Sequence, residues 1–122
     1  MLEKFRKNKD EEETTVAPFV NIYEKDKEII IAVEMPGVDK NSLDLNLDGN
    51  QLIIQGKKQK EEIGKEYTLL HRERRPVSFE RRFEINTQID REKIKAEYTD
   101  GVLKVSLSKS EEAQPQKIVI KT

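Results

Sequence analysis

Cysteine and tryptophan are absent from the 122 residues, and there is a single histidine. Without cysteine there are no disulfides, no thiol nucleophiles and no thiolate-bound metal, which suits a reducing, cytoplasmic setting. His71 alone cannot build an imidazole metal site, and no serine lies in the strand-to-helix elbow that nucleophilic hydrolases use. The glycines Gly37, Gly49, Gly56, Gly64 and Gly101 stand singly, so no phosphate-cradling loop is present. No apolar run approaches the roughly 18 residues of a membrane-spanning helix. The start, Met1-Leu2-Glu3-Lys4-Phe5-Arg6-Lys7, lacks the apolar core of a secretory leader. An excess of one charge is missing too: 23 basic and 24 acidic residues leave a net charge of -1. The signs are interspersed, whereas nucleic-acid phosphates call for a concentrated positive field. The expectations are a cytoplasmic protein that is not an enzyme and has no cofactor, metal, nucleic-acid partner or membrane span.

What is present is charge and short alternation. Charged residues make up 39% of the chain and hydrophobic residues 34%. One domain is expected, with a modest core, and self-association would bury more apolar surface. Residues 1–16, with the acidic run Asp10-Glu11-Glu12-Glu13, read as a flexible arm. Ordered structure begins near Ala17-Pro18-Phe19, where proline is tolerated at a strand's start.

Period-2 alternation then marks eight short strands, at about 17–24, 28–35, 43–48, 51–56, 66–73, 79–85, 94–99 and 102–109. Turn signals separate them: Asp26-Lys27, Pro36-Gly37, Gly49-Asn50 and Asp100-Gly101. Single helical turns fit Val38 to Ser42 and Asp90 to Lys93, and no longer helix is indicated. The pattern is that of an all-β, antiparallel sandwich. Residues 110–122 form a polar linker with Pro115, ending in Ile118-Val119-Ile120. Two isoleucines two apart on a polar tail suit strand addition, with alternate side chains entering pockets. The other reading makes them a last strand of the same sandwich. Arg81 is the other anomaly. It shares parity with Phe79, Phe83 and Ile85, so it is buried with a carboxylate partner, faces another chain, or extends its head to solvent.

The stretch Ala96-Glu97-Tyr98-Thr99-Asp100-Gly101-Val102-Leu103 resembles the signature of the α-crystallin domain of small heat-shock proteins. Other pieces resemble the same family in the same order: Ala17 to Glu24, Val33-Glu34-Met35-Pro36-Gly37-Val38, Leu52-Ile53-Ile54-Gln55-Gly56, Phe79-Glu80-Arg81-Arg82-Phe83 and the Ile-x-Ile tail. The chain is accordingly identified as similar to the bacterial- or plant-type small heat-shock proteins, the Hsp20/α-crystallin domain family. It departs from that pattern at Ile85-Asn86, where Leu-Pro is usual, and in an arm whose only aromatic is Phe5.

The resemblance implies an immunoglobulin-like sandwich over 17–109, between the arm and the tail. It implies an ATP-independent holdase that binds unfolded client proteins. It also implies a homodimer formed by exchanging the strand near 67–73. The dimer contacts would be Phe19, Asn21, Tyr23, Tyr67, Leu69, His71 and Arg81, the last with a carboxylate. Larger oligomers would form when Ile118, Val119 and Ile120 of one dimer enter a groove of another. The groove walls would be Leu43, Leu45 and Leu47 against Ile94, Ala96 and Tyr98. The alternative function is an adaptor module that binds one specific folded partner.

Overall fold

The computed structural model of the chain describes residues 14–59, 63–73, 77–110 and 120–121. Nine strands lie among them: β1 (Thr14–Val16), β2 (Val20–Lys25), β3 (Glu28–Glu34), β4 (Asp44–Asp48), β5 (Gln51–Lys57), β6 (Val77–Ile85), β7 (Lys95–Thr99), β8 (Val102–Ser108) and β9 (Ile120–Lys121). They form two sheets. One has the order β1-β6-β5-β4, with β9 also on β6; the other has the order β2-β3-β8-β7. All ladders are antiparallel except that of β1 with β6. This is a β-sandwich of the expected class.

Two-residue turns set the register. Asp48 pairs with Gln51 around Gly49-Asn50, and Thr99 pairs with Val102 around Asp100-Gly101. Asp100 and Gly101 have φ of 52° and 80°, the left-handed conformation that twists a tight hairpin correctly. Gly101 also lies close under Pro36: a Cβ placed there would be 3.3 Å from the proline Cα. Its carbonyl accepts from Met35 N at 2.8 Å, which ties the hairpin to the chain leaving β3.

Alternation decides the interior. Ile29, Ile31 and Val33 of β3, Leu52 and Ile54 of β5, Phe83 and Ile85 of β6, and Leu103, Val105 and Leu107 of β8 are buried. They form one cluster with Met35, Val38 and Phe79. The intervening residues Ile30 and Ala32 are half-buried, so β3 is partly covered on its outer face as well. The single turns appear as 3-10 turns at Lys40–Ser42 and Arg91–Lys93, each preceded by an aspartate whose side chain accepts a backbone N–H.

Two expectations are corrected. Residues 14–16, assigned to the arm, form β1 and pair in parallel with Val77, Ser78 and Phe79. Three residues with two threonines carry little alternation of their own, so this strand exists because β6 offers an edge. Residues 66–73, expected as a strand, make no ladder in the single chain. A strand needs a neighbour for its N–H and C=O groups, and among the described residues no ladder joins that segment to another.

Candidate functional site

The sandwich has two open sides: β4 and β7, the last strands of their sheets, frame one, and β2 with β6, whose far side carries β1 and β9, frame the other. Arg81 of β6 donates from Nη1 to the Pro18 carbonyl at 3.0 Å, which brings β6 and the start of β2 to one side. Arg91, just before β7, reaches the carbonyls of Leu47 and Gly49, which brings β7 and β4 to the other.

Register and turn length show which backbone groups each edge turns outward. A two-residue hairpin is closed by a hydrogen-bonded pair, and bonded pairs alternate from there. With Asp48 and Gln51 closing the β4–β5 turn, Asn46 and Asp44 bond to β5 while Leu45 and Leu47 face out. With Thr99 and Val102 closing the next hairpin, Ala96 and Tyr98 face out from β7. On β2, Lys25 pairs with Glu28, so Val20, Ile22 and Glu24 face out. The bond from Glu34 N to Phe19 O at 2.9 Å continues that alternation.

On the β4/β7 side, Leu43, Leu45, Leu47, Ile94 and Tyr98 are partly buried and pack against the core. Ala96 is exposed and stands apart from that cluster. The Tyr98 hydroxyl donates to the Met35 carbonyl at 2.7 Å and fixes its ring across the end of the sheet. Gly56 keeps that end closely packed: a Cβ there would lie 3.0 Å from Val38, 3.2 Å from Leu43 and 3.4 Å from Met35. At the opposite end, a cavity of about 630 Å³ opens beside Leu47, between the Gly49-Asn50 turn, Ile85 and residues 87–91. Nothing local in the sequence marks this end: Asp90-Arg91-Glu92 shows only as a helical turn, and its pattern does not say that Arg91 spans to another sheet.

On the β2/β6 side, apolar surface is exposed. Phe19 is 81% accessible, Tyr23 58% and Ile22 40%. Asn21 is exposed between them. In the segment 63–73, Tyr67 is 68% accessible, Leu70 is exposed and Leu69 is half-buried. His71 is exposed, with Nε2 3.5 Å from a Glu73 carboxylate oxygen. Arg81 stacks 5.6 Å from the centre of the Phe83 ring. The carboxylate expected for Arg81 is not what it meets among the described residues; the Pro18 carbonyl takes that place, and its Nε is buried without a partner.

Ile118 and Val119 lie outside the described residues. Ile120 pairs with Ile85, and Lys121 with Glu84, on the edge of β6 rather than beside β4 or β7. Among the described residues there is no cluster of metal-ligating side chains, and no helix is long and apolar enough to cross a membrane.

A profile of the Hsp20/alpha crystallin family matches residues 21–121. The chain is 33% identical over 105 residues to small heat shock protein C4 of Rickettsia felis, covering 86% of this chain and 64% of that protein. It is 35% identical over 94 residues to heat shock protein HSP.16.4 of Streptococcus thermophilus, covering 73% and 63%. The chain thus spans less than two thirds of the length of either relative. Among solved structures it resembles heat shock protein 16.0 from Schizosaccharomyces pombe, with a TM-score of 0.69, 30% identity, and 88% and 99% of the two chains covered. It also resembles a small heat-shock protein from Xylella fastidiosa described as having a distinct high order structure, with a TM-score of 0.62, 26% identity, and 88% and 98% covered.

Proposed function

The chain belongs to the Hsp20/alpha crystallin family, and from that premise we propose that it is an ATP-independent holdase in the cytoplasm, built from dimers, that shields partly unfolded proteins from aggregating. The observation that carries this reading is the pair of exposed aromatic side chains at β2, Phe19 just before it and Tyr23 within it. A holdase needs no catalytic group. It needs apolar surface that can be covered when idle and offered to a client when the assembly loosens.

The dimer forms by mutual strand exchange. Residues 67–73 of one copy lie along the free edge of β2 of the other, bonding to the outward groups of Val20, Ile22 and Glu24. Two features support this. The segment has strand composition without a ladder of its own, and β2 is a free edge flanked by exposed apolar side chains. The buried, unpartnered Arg81 Nε supports an acidic residue arriving from the second copy, since a buried charged donor left unmatched is costly.

Dimers then assemble through the tail. Ile118 and Ile120 of one dimer, with Ile120 giving up the β6 pairing it makes in the single chain, enter the β4/β7 side of another, between Leu45 and Leu47 on one wall and Ile94 and Tyr98 on the other. Burying two isoleucines contributes about 3–6 kcal/mol before ordering costs, which keeps the contact reversible. The higher-order arrangement described for the Xylella relative supports assembly beyond the dimer.

The test is aggregation of several unrelated heated proteins, followed by light scattering without nucleotide. Suppression across the set is expected. Protection of none of them would overturn the holdase reading in favour of an adaptor for one folded partner.

A further inference from the structure

Arg91 occupies a position that the assembly reading does not account for. Its turn is fixed to the second sheet: Asp90 N donates to Ser108 O at 2.9 Å, and Lys93 N donates to Asp90 O at 3.1 Å. The Asp90 carboxylate accepts from Glu92 N at 3.1 Å. From this anchored turn the Arg91 side chain crosses the open side to the first sheet. Nη1 donates to the Leu47 carbonyl at 3.2 Å, and Nη2 donates to the Gly49 carbonyl.

The Leu47 carbonyl belongs to the row that β4 turns outward, as the hairpin register requires. Arg91 therefore holds the acceptor that an added strand would use at this end. Edge strands invite unwanted pairing, and a cation placed on the edge is one way to limit it.

We propose that Arg91 is a stop on the β4 edge, which sets how far an incoming strand can pair. The occupant is the tail segment of a second copy, Lys117-Ile118-Val119-Ile120-Lys121. Pairing extends over Leu45 and ends before Leu47, where the guanidinium fills the edge. Charge argues for the same register, because the segment carries a lysine on each flank and Arg91 repels a basic flank running past Leu47. The stop keeps docking short and therefore reversible. It also prevents the β4 edges of two copies from pairing along their full length. This inference rests on the tail-docking reading above.

Amide hydrogen exchange on the full-length assembled protein tests it, with Arg91→Ala and Arg91→Lys compared against the native chain. In the native assembly the Leu45 amide is expected to be protected and the Leu47 amide to exchange freely. In Arg91→Ala both become protected, and association between dimers tightens about fivefold, the scale of one hydrogen bond gained. Arg91→Lys, which keeps the repelling charge but loses the two-pronged reach, is expected to protect Leu47 only in part. A protected Leu47 in the native assembly would overturn the stop, and so would an unprotected Leu47 in both variants. Protection of neither Leu45 nor Leu47 in any assembly would instead overturn tail docking itself. An unchanged melting transition in the variants separates these results from loss of fold.

Discussion

The two open sides of this sandwich solve the edge-strand problem in opposite ways. On the β4/β7 side the apolar residues Leu45, Leu47, Ile94 and Tyr98 are already half-buried, and two side chains, Tyr98 and Arg91, cross between elements to close the ends. On the β2/β6 side Phe19 and Tyr23 stand in solvent, and Arg81 carries a buried donor with nothing to bond. A side that satisfies most of its own groups can be covered and uncovered at small cost. A side that leaves apolar area and a polar atom unmatched gains much more from a partner. On the proposed reading, that difference would make the β2/β6 side the durable contact between copies and the β4/β7 side the reversible one.

Three substitutions sharpen or break that contrast, in decreasing order of effect. Phe83 is fully buried and belongs to the core beneath both sides. Phe83→Ala is expected to cost about 3–5 kcal/mol of stability in denaturant titration and to abolish dimer and assembly together. Survival of either contact at full strength would show that the sides do not share one foundation.

Ile22→Pro removes an outward N–H that the chain's own ladder does not use, so the fold should persist while strand addition on β2 fails. A shift from dimer to monomer of about tenfold or more in dissociation constant is expected, read by analytical ultracentrifugation. An intact dimer would remove β2 from the interface.

Leu45→Pro is the matching change on the other side. It deletes one outward N–H of β4 along with some half-buried packing. The dimer should remain, while assembly beyond it weakens about tenfold or less, measured by native mass. Loss of the dimer in this variant, with larger species retained in Ile22→Pro, would invert the assignment of the two sides.

Much of this architecture is legible in the chain itself. The strands β2 to β8, except for the end residues, lie where alternation placed them. Leu43, Leu45 and Leu47 alternate so regularly that their shared facing follows from the pleat alone. Asp100-Gly101 announces its hairpin because two left-handed residues in a row leave few other backbones open. The misses have a common cause. β1 is three residues long and exists through a parallel pairing with residues sixty-three positions away. Residues 67–73 have strand composition but join no ladder among the described residues. The Arg91 bridge joins residues over forty positions apart. In each case the deciding partner is remote, and local pattern carries no information about it.

The sequence by itself determined the class of fold, the inward rows of β3, β5, β6 and β8, the tight turns and the family to which the chain is similar. These depend on side-chain period and on backbone conformations that only a few residues accept, and both are written locally. Tertiary structure alone decided which edges lie side by side, that Arg81 meets the Pro18 carbonyl, that Ile120 lies on β6, and that Arg91 reaches the Leu47 and Gly49 carbonyls. Those outcomes depend on how two sheets stack, because stacking determines which distant carbonyl falls within reach of which side chain.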